Sequence, residues 1–205
     1  MKGLLYKDGI VLIRKFRSYL PMFVLFVGMG GLMPDGMFWS VYGVMFTATM
    51  VSSLMADEEN TGWNDTASYL PLSAGTQVSE KYIISLICIV GFIVVYTAAA
   101  FIGGKPSAEI IMGITSIIMT SEIIFLLSLP TTILFGVQKS GLIRLIVTGV
   151  LVFFGVVVLQ GGRGFLDMLS GKENMVIIIL LAVTVLYFLS WYISIILKER
   201  KMLNH

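Results

Sequence analysis

Carboxylates are the main residues in this sequence that could do chemistry. The chain has 12 acidic residues but one histidine, His205, and one cysteine, Cys88, which lies in an apolar run. Metal sites and nucleophile–base–acid sets need clusters that include such residues, so neither can be assembled, although a Ser–Lys pair stays formally open. The phosphate-binding pattern G-x-x-x-x-G-K-[ST] is absent from the sequence. We therefore expect no catalysis, no metal and no cofactor in this chain itself.

Five of the acidic residues fall in one polar interval, residues 57–81, which we call the docking segment. An acidic triplet comes first, and a Gly-Trp step then leads into a run compatible with a short helix over 63–70. Pro71 should end this helix, and Ser73 can cap the next one. This order predicts a stiff docking element for a soluble partner, made by Asp57, Glu58, Glu59, Trp63, Asn64, Asp65, Tyr69 and Leu70.

The two aromatic residues of the docking segment allow another interpretation. Trp63 and Tyr69 could lie at the lipid headgroups, as such residues often do. We favour docking because the neighbouring acidic residues would be poorly placed against an anionic inner leaflet.

Glu122 is the one acid predicted to lie deep in an apolar segment. A carboxylate inside a membrane is costly and by default indicates a functional site, here a substrate path. The alternative is a protonated or hydrogen-bonded carboxyl that holds helices together. Both interpretations are open at this point.

The composition predicts that these residues belong to a membrane protein. The chain is 57% hydrophobic and only 13% charged, whereas soluble domains carry about 25% charge. We predict an all-α integral membrane protein with one domain, 1–205, and six transmembrane helices at about 19–33, 37–56, 82–103, 108–135, 142–160 and 175–197. Pro130 should kink the fourth helix, and residues 138–141 should form a turn.

Two further patterns concern packing and orientation. Small residues at four-residue spacing, Ala48, Ser52 and Ala56, indicate close helix packing inside the chain or a dimer seam. Residues 1–18 form a basic amphipathic pattern, typical of a helix in the membrane interface or of the solvated start of the first crossing. Eleven of the 14 Lys and Arg residues fall on one side of this topology, which predicts that both termini and the docking segment are cytoplasmic. The net charge of +2 is too small to indicate nucleic-acid binding.

Three blocks of the sequence resemble one known family. They are MKGLLYKD at the start, ADEENTGWNDTASYLPLSAGTQVSEKYI across the docking segment, and LSLPTTILFGVQKSGLIR near Pro130. In this order they resemble the short, six-span permease subunits of ABC transporters of the ABC-2 type, particularly those of Gram-positive bacteria.

The resemblance implies a transport subunit of the bacterial plasma membrane. Such a permease pairs with a second permease, identical or related, and with two separate ATPase subunits that bind ATP and Mg. Residues 1–18 would be the elbow helix, and the docking segment would carry the coupling helix that contacts the ATPase. Relatives export peptides, including amphipathic toxins such as phenol-soluble modulins, or bacteriocins, and others export drugs and lipids. An exporter of peptides is the resulting expectation.

Two other classes of function are compatible with a small membrane protein. A stand-alone immunity protein would bind a bacteriocin without ATP, but it would not need an ordered docking segment. A small secondary transporter should show discontinuous helices or intramembrane charges in corresponding halves of the chain, whereas only Glu122 is present.

Overall fold

The protein is built from long helices. The structure, a computed structural model, describes residues 2–33, 36–69, 73–160 and 173–203, and at some of these positions, including Asn64 and Asp65, only the backbone. Within these residues the helices are α1 (Lys2–Leu32), α2 (Gly36–Asn60), α3 (Trp63–Ser68), α4 (Ala74–Ile102), α5 (Ser107–Gln160) and α6 (Glu173–Leu203). The long apolar runs form helices because an isolated helix satisfies its own backbone hydrogen bonds in lipid.

Three helical stretches are long and apolar enough to cross a membrane, judged over the described residues: Ala74–Ile102, Ser107–Val137 and Ile177–Met202. The chain is therefore an all-α membrane protein, as expected. The remaining predicted crossings lie in α1, in α2 and in the second part of α5, and they stay predictions.

Helix α5 consists of two arms separated at Gly136, where φ is 78° and ψ is 172°. This backbone conformation is essentially restricted to glycine. We call residues 107–135 the first arm and residues 137–160 the second arm. The predicted turn at 138–141 is wrong, because those residues are helical and the break precedes them.

The break also lies six residues beyond Pro130, where the sequence predicted a kink. Proline removes the N–H that would bind the carbonyl of Leu126, four residues earlier. The Ser190 hydroxyl of α6 donates to that carbonyl at 2.9 Å instead. A side chain from a neighbouring helix thus satisfies the freed carbonyl, which lets the helix continue through Pro130.

Helix α1 contains both the predicted amphipathic segment and the first predicted crossing. Residues 2–32 form one continuous helix, so the predicted elbow and first crossing are not separated by a break. Within the amphipathic segment, the polar Asp8 is buried against other helices, whereas the apolar side chains of Tyr6 and Ile13 are exposed.

The core lies where α1, α2, α4, α5 and α6 meet, and it contains Val51, Phe92 and Phe125. Small residues of α2 face this core: Ala48 and Ser52 are buried. At Gly43 any side chain would meet the ring of Phe92 in α4. The small-residue pattern of α2 is therefore used inside the chain.

Contacts place both termini of the described chain at one end of the helix bundle. Lys15 near the start pairs with Asp57 at 2.6 Å, and Lys201 donates to the carbonyl of Ile133 at 3.2 Å. At the opposite end, Lys105 donates to the carbonyl of Gly30 at 3.2 Å. The docking segment, the break in α5 and both termini thus share one end.

Candidate functional site: the docking segment

The docking segment contains the short helix that the sequence predicts. Gly62 adopts a left-handed conformation, with φ of 66°, and starts helix α3 immediately after α2. The helix ends at Ser68, two residues earlier than predicted, and Tyr69 is its C-cap residue. Leu70 and Pro71 lie outside the described residues. The predicted cap is confirmed, because the Ser73 hydroxyl accepts a hydrogen bond from the Thr76 backbone N–H at 3.2 Å.

The three acids of the triplet contact three different parts of the chain. Asp57 pairs with Lys15 of α1. Glu58 pairs with Lys7 at 2.6 Å and with Lys81 of α4 at 2.8 Å. Glu59 accepts a hydrogen bond from the backbone N–H of Val137, the first residue of the second arm of α5, at 2.7 Å. The last turn of α2 is therefore connected to α1, α4 and α5.

Glu58 and Lys81 of the docking segment form a partly buried ion cluster with Lys7 and Asp8 of α1. The side chains of Asp8 and Lys81 are 2% and 8% exposed and contact each other directly. Lys7 lies 3.1 Å from the second oxygen of Asp8. Burial by itself raises the pKa of Asp8, but the charges and hydrogen bonds of Lys81 and Lys7 outweigh it and hold that pKa below its ordinary range.

Sequence reasoning missed this ion cluster. The amphipathic pattern of residues 1–18 places Lys7 in an interfacial helix, and Lys81 is one of the eleven basic residues used only for orientation. Asp8 was the available signal, since an acid is out of place in a basic interfacial helix. Glu80 is buried beside the cluster, 3.9 Å from Lys81, and its Oε1 has no hydrogen-bond partner in the part of the chain that the structure describes.

The aromatic residues of the docking segment have different environments. The Lys7 ammonium lies 4.1 Å from the centroid of the Trp63 ring, a cation–π contact that holds α3 against α1. Tyr69 is 89% exposed. Tyr69 is thus the aromatic side chain available to a partner, while Trp63 also has a partner within this chain. The backbones of Asn64 and Asp65 lie in α3, and their side chains are outside the description.

Glu122 lies apart from the docking segment, in the first arm of α5. It is 7% exposed and accepts a hydrogen bond from the Thr184 hydroxyl of α6, with oxygen–oxygen distances of 3.1 and 3.2 Å. A short distance along α6, the Tyr82 hydroxyl shares hydrogen bonds with Ser190 and Ser194 at 2.9 Å each. Glu122 is therefore one of several polar contacts between helices.

Over the described residues, no group of three or more His, Cys, Asp or Glu side chains is arranged to hold a metal ion. The site consists of a short helix, on which the side chains of Thr66 and the capping Tyr69 are exposed, and of the ion pairs at the end of α2. These contacts connect the end of α2, and with it the start of α3, to α1, α4 and α5.

Comparison with known proteins agrees with this architecture. Residues 3–198 match the family described as ABC-2 family transporter protein. Comparisons with curated proteins and with solved structures found no match. Because the match spans nearly the whole chain, and because the chain is an all-α, multi-pass membrane protein, this protein belongs to the ABC-2 family of ABC transporter permeases.

Proposed function

We propose that this chain is the permease of an exporter in the bacterial plasma membrane, driven by two separate ATP-binding subunits that dock on α3. ATP and Mg bind to those subunits, and this chain itself has no catalytic role. A second permease, identical or related, completes the transport path. Six helices cross the membrane, and both termini are cytoplasmic, where the ATP-binding subunits are found.

The observation that supports this proposal best is that the end of α2, which leads directly into α3, is connected to three long helices. An ATPase changes shape as it binds and hydrolyses ATP, and a flexible loop would absorb that change. Helix α3 is only six residues long, but it follows α2 through a tight turn at Gly62. The acids that end α2 are paired with α1, α4 and α5. A force on α3 would therefore reach all three long helices.

The exposed Tyr69 supplies the contact that such a partner needs. Aromatic side chains dominate the binding energy of many interfaces, and a side chain that is 89% exposed has most of its surface available for burial. The substrate class, an amphipathic peptide, rests on the resemblance to peptide exporters alone.

The test is removal of the aromatic residues of the docking segment in the full chain, co-expressed with its ATP-binding subunit. Tyr69→Ala should weaken co-purification of the subunit, and Trp63→Ala with Tyr69→Ala should release the subunit or uncouple ATP hydrolysis from transport. Tyr192→Ala on α6, where the side chain is 64% exposed, is the matched control and should leave binding unchanged.

Insertion into the membrane should be the same in all variants, because no core side chain changes. If the double variant binds the ATP-binding subunit as tightly as the unaltered chain and hydrolysis stays coupled, α3 is not the docking helix.

A further inference from the structure

We propose that Glu59 is a positioning residue for transport, which connects α3 to the break in α5 so that a movement of α3 turns the second arm of α5. This inference rests on the proposed function, because it assumes that α3 receives the movement. The new element is that the side chain of Glu59 transmits this movement to the second arm.

Two hydrogen bonds place Glu59 between the two elements. Its backbone carbonyl accepts from the N–H of Gly62, the residue that starts α3, at 3.4 Å. Its carboxylate accepts from the N–H of Val137, at the start of the second arm, at 2.7 Å. One residue therefore contacts the docking helix through its main chain and the second arm through its side chain, although 78 positions separate it from Val137.

The contact of Glu59 with Val137 lies directly after Gly136, where the two arms of α5 are separated. The backbone conformation of Gly136 interrupts α5, and no other residue type adopts that conformation readily. A Cβ atom at this position would also lie 3.0 Å from the nearest carboxylate oxygen of Glu59, so any other residue would push that carboxylate by a few tenths of an ångström. The first N–H of the second arm has no partner within its own helix, and the carboxylate supplies one.

The other two acids of the triplet contact different helices from Glu59. Asp57 and Glu58 fix the end of α2 to α1 and α4 through their lysine partners. Among the three acids, Glu59 is the one whose described contact reaches α5. If its role were only to cap the second arm, its loss would lower stability but would leave the response of that arm to nucleotide unchanged.

The experiment measures the distance between α3 and the second arm. Spin labels are attached to cysteines introduced at Thr66, which is exposed on α3, and at Gly149, where an added side chain meets no atom within 4 Å, in a chain whose Cys88 is replaced by Ala. Pulsed electron paramagnetic resonance gives the distance distribution for the full chain alone, and for the chain with its ATP-binding subunit, with and without ATP.

Glu59→Ala should broaden the distribution in the chain alone, and the complex formed at a saturating concentration of the ATP-binding subunit should show no ATP-dependent change. Glu59→Gln keeps an acceptor oxygen and should restore part of both effects. Glu199→Ala, which removes an exposed carboxylate of α6 at the same end of the bundle, is the control and should change neither.

An unchanged distribution together with a preserved ATP-dependent change in Glu59→Ala overturns the inference, and continued binding of the subunit then leaves the proposed function intact. If the unaltered chain binds no ATP-binding subunit, the proposed function fails, and the distribution in the chain alone still decides whether Glu59 holds the second arm. If Glu59→Ala does not fold, Glu59→Asp replaces it with the same two outcomes, because its shorter side chain cannot keep the 2.7 Å contact without a shift of α2.

Discussion

Replacement of Lys81 by Met should destabilise the folded chain, because it removes one of the two cations from the ion cluster. Lys81 contacts both Asp8 and Glu58, and its own side chain is 8% exposed. Without it, two carboxylates would share Lys7 alone. Removing one partner of a buried pair typically costs 3–5 kcal/mol, and we expect about 3 kcal/mol here because Lys7 remains.

The loss of stability caused by Lys81→Met should depend on whether Asp8 is present, so the double variant tests whether the two side chains act as a pair. Lys81→Met combined with Asp8→Leu replaces a buried ion pair by apolar side chains, a change that is often close to neutral. The double variant should therefore lie within about 1 kcal/mol of the unaltered chain and be more stable than Lys81→Met alone. The two substitutions should thus be strongly non-additive, as expected for side chains in direct contact.

The assay is denaturant unfolding of the purified chain in detergent micelles, followed by tryptophan fluorescence. Lys139→Met removes an exposed lysine at the same end of the bundle, and it should change the unfolding free energy by no more than about 0.5 kcal/mol. A cost of less than about 1 kcal/mol for Lys81→Met would show that the ion cluster does not depend on Lys81. A further loss of stability on adding Asp8→Leu would show that Asp8 and Lys81 do not act as a pair.

Two more predictions concern the acids of the helix interfaces. Because the folded chain holds the pKa of Asp8 below its ordinary value of about 4, its ion pairs stabilise the chain above that value and lose this contribution as the pH falls through the lower pKa of the folded state. Asp8→Asn should therefore make the unfolding midpoint less sensitive to acid below about pH 4, and an equal pH dependence would contradict this assignment. For Glu122, Glu122→Ala should lower stability by about 0.6 kcal/mol, the typical worth of a hydrogen bond between membrane helices, whereas Glu122→Gln keeps an acceptor for Thr184 and should be close to neutral. A transport defect in a fully stable Glu122→Gln variant would instead favour a substrate path.

The sequence alone was sufficient wherever the deciding interactions are local. The Ser73 cap needs only the N–H three residues later, and the start of the short helix is set by the left-handed turn at Gly62, one residue before it. The all-α membrane class follows from long apolar runs, whose hydropathy is a property of consecutive residues. The family was recognisable from three blocks in order, and residues 3–198 match it.

Only the tertiary structure decided which charges meet. Asp8 and Lys81 are 73 positions apart, and their contact depends on how α1 and α4 rotate against each other. The same holds for the break in α5. The sequence pointed to Pro130, yet Ser190 from α6 compensates for the missing N–H, and the chain breaks at Gly136 beside Glu59. Periodicity identifies the face of a helix but not the helix that packs against it. Ion pairs and hydrogen bonds act over only a few ångströms, so they depend on how helices distant in sequence pack together.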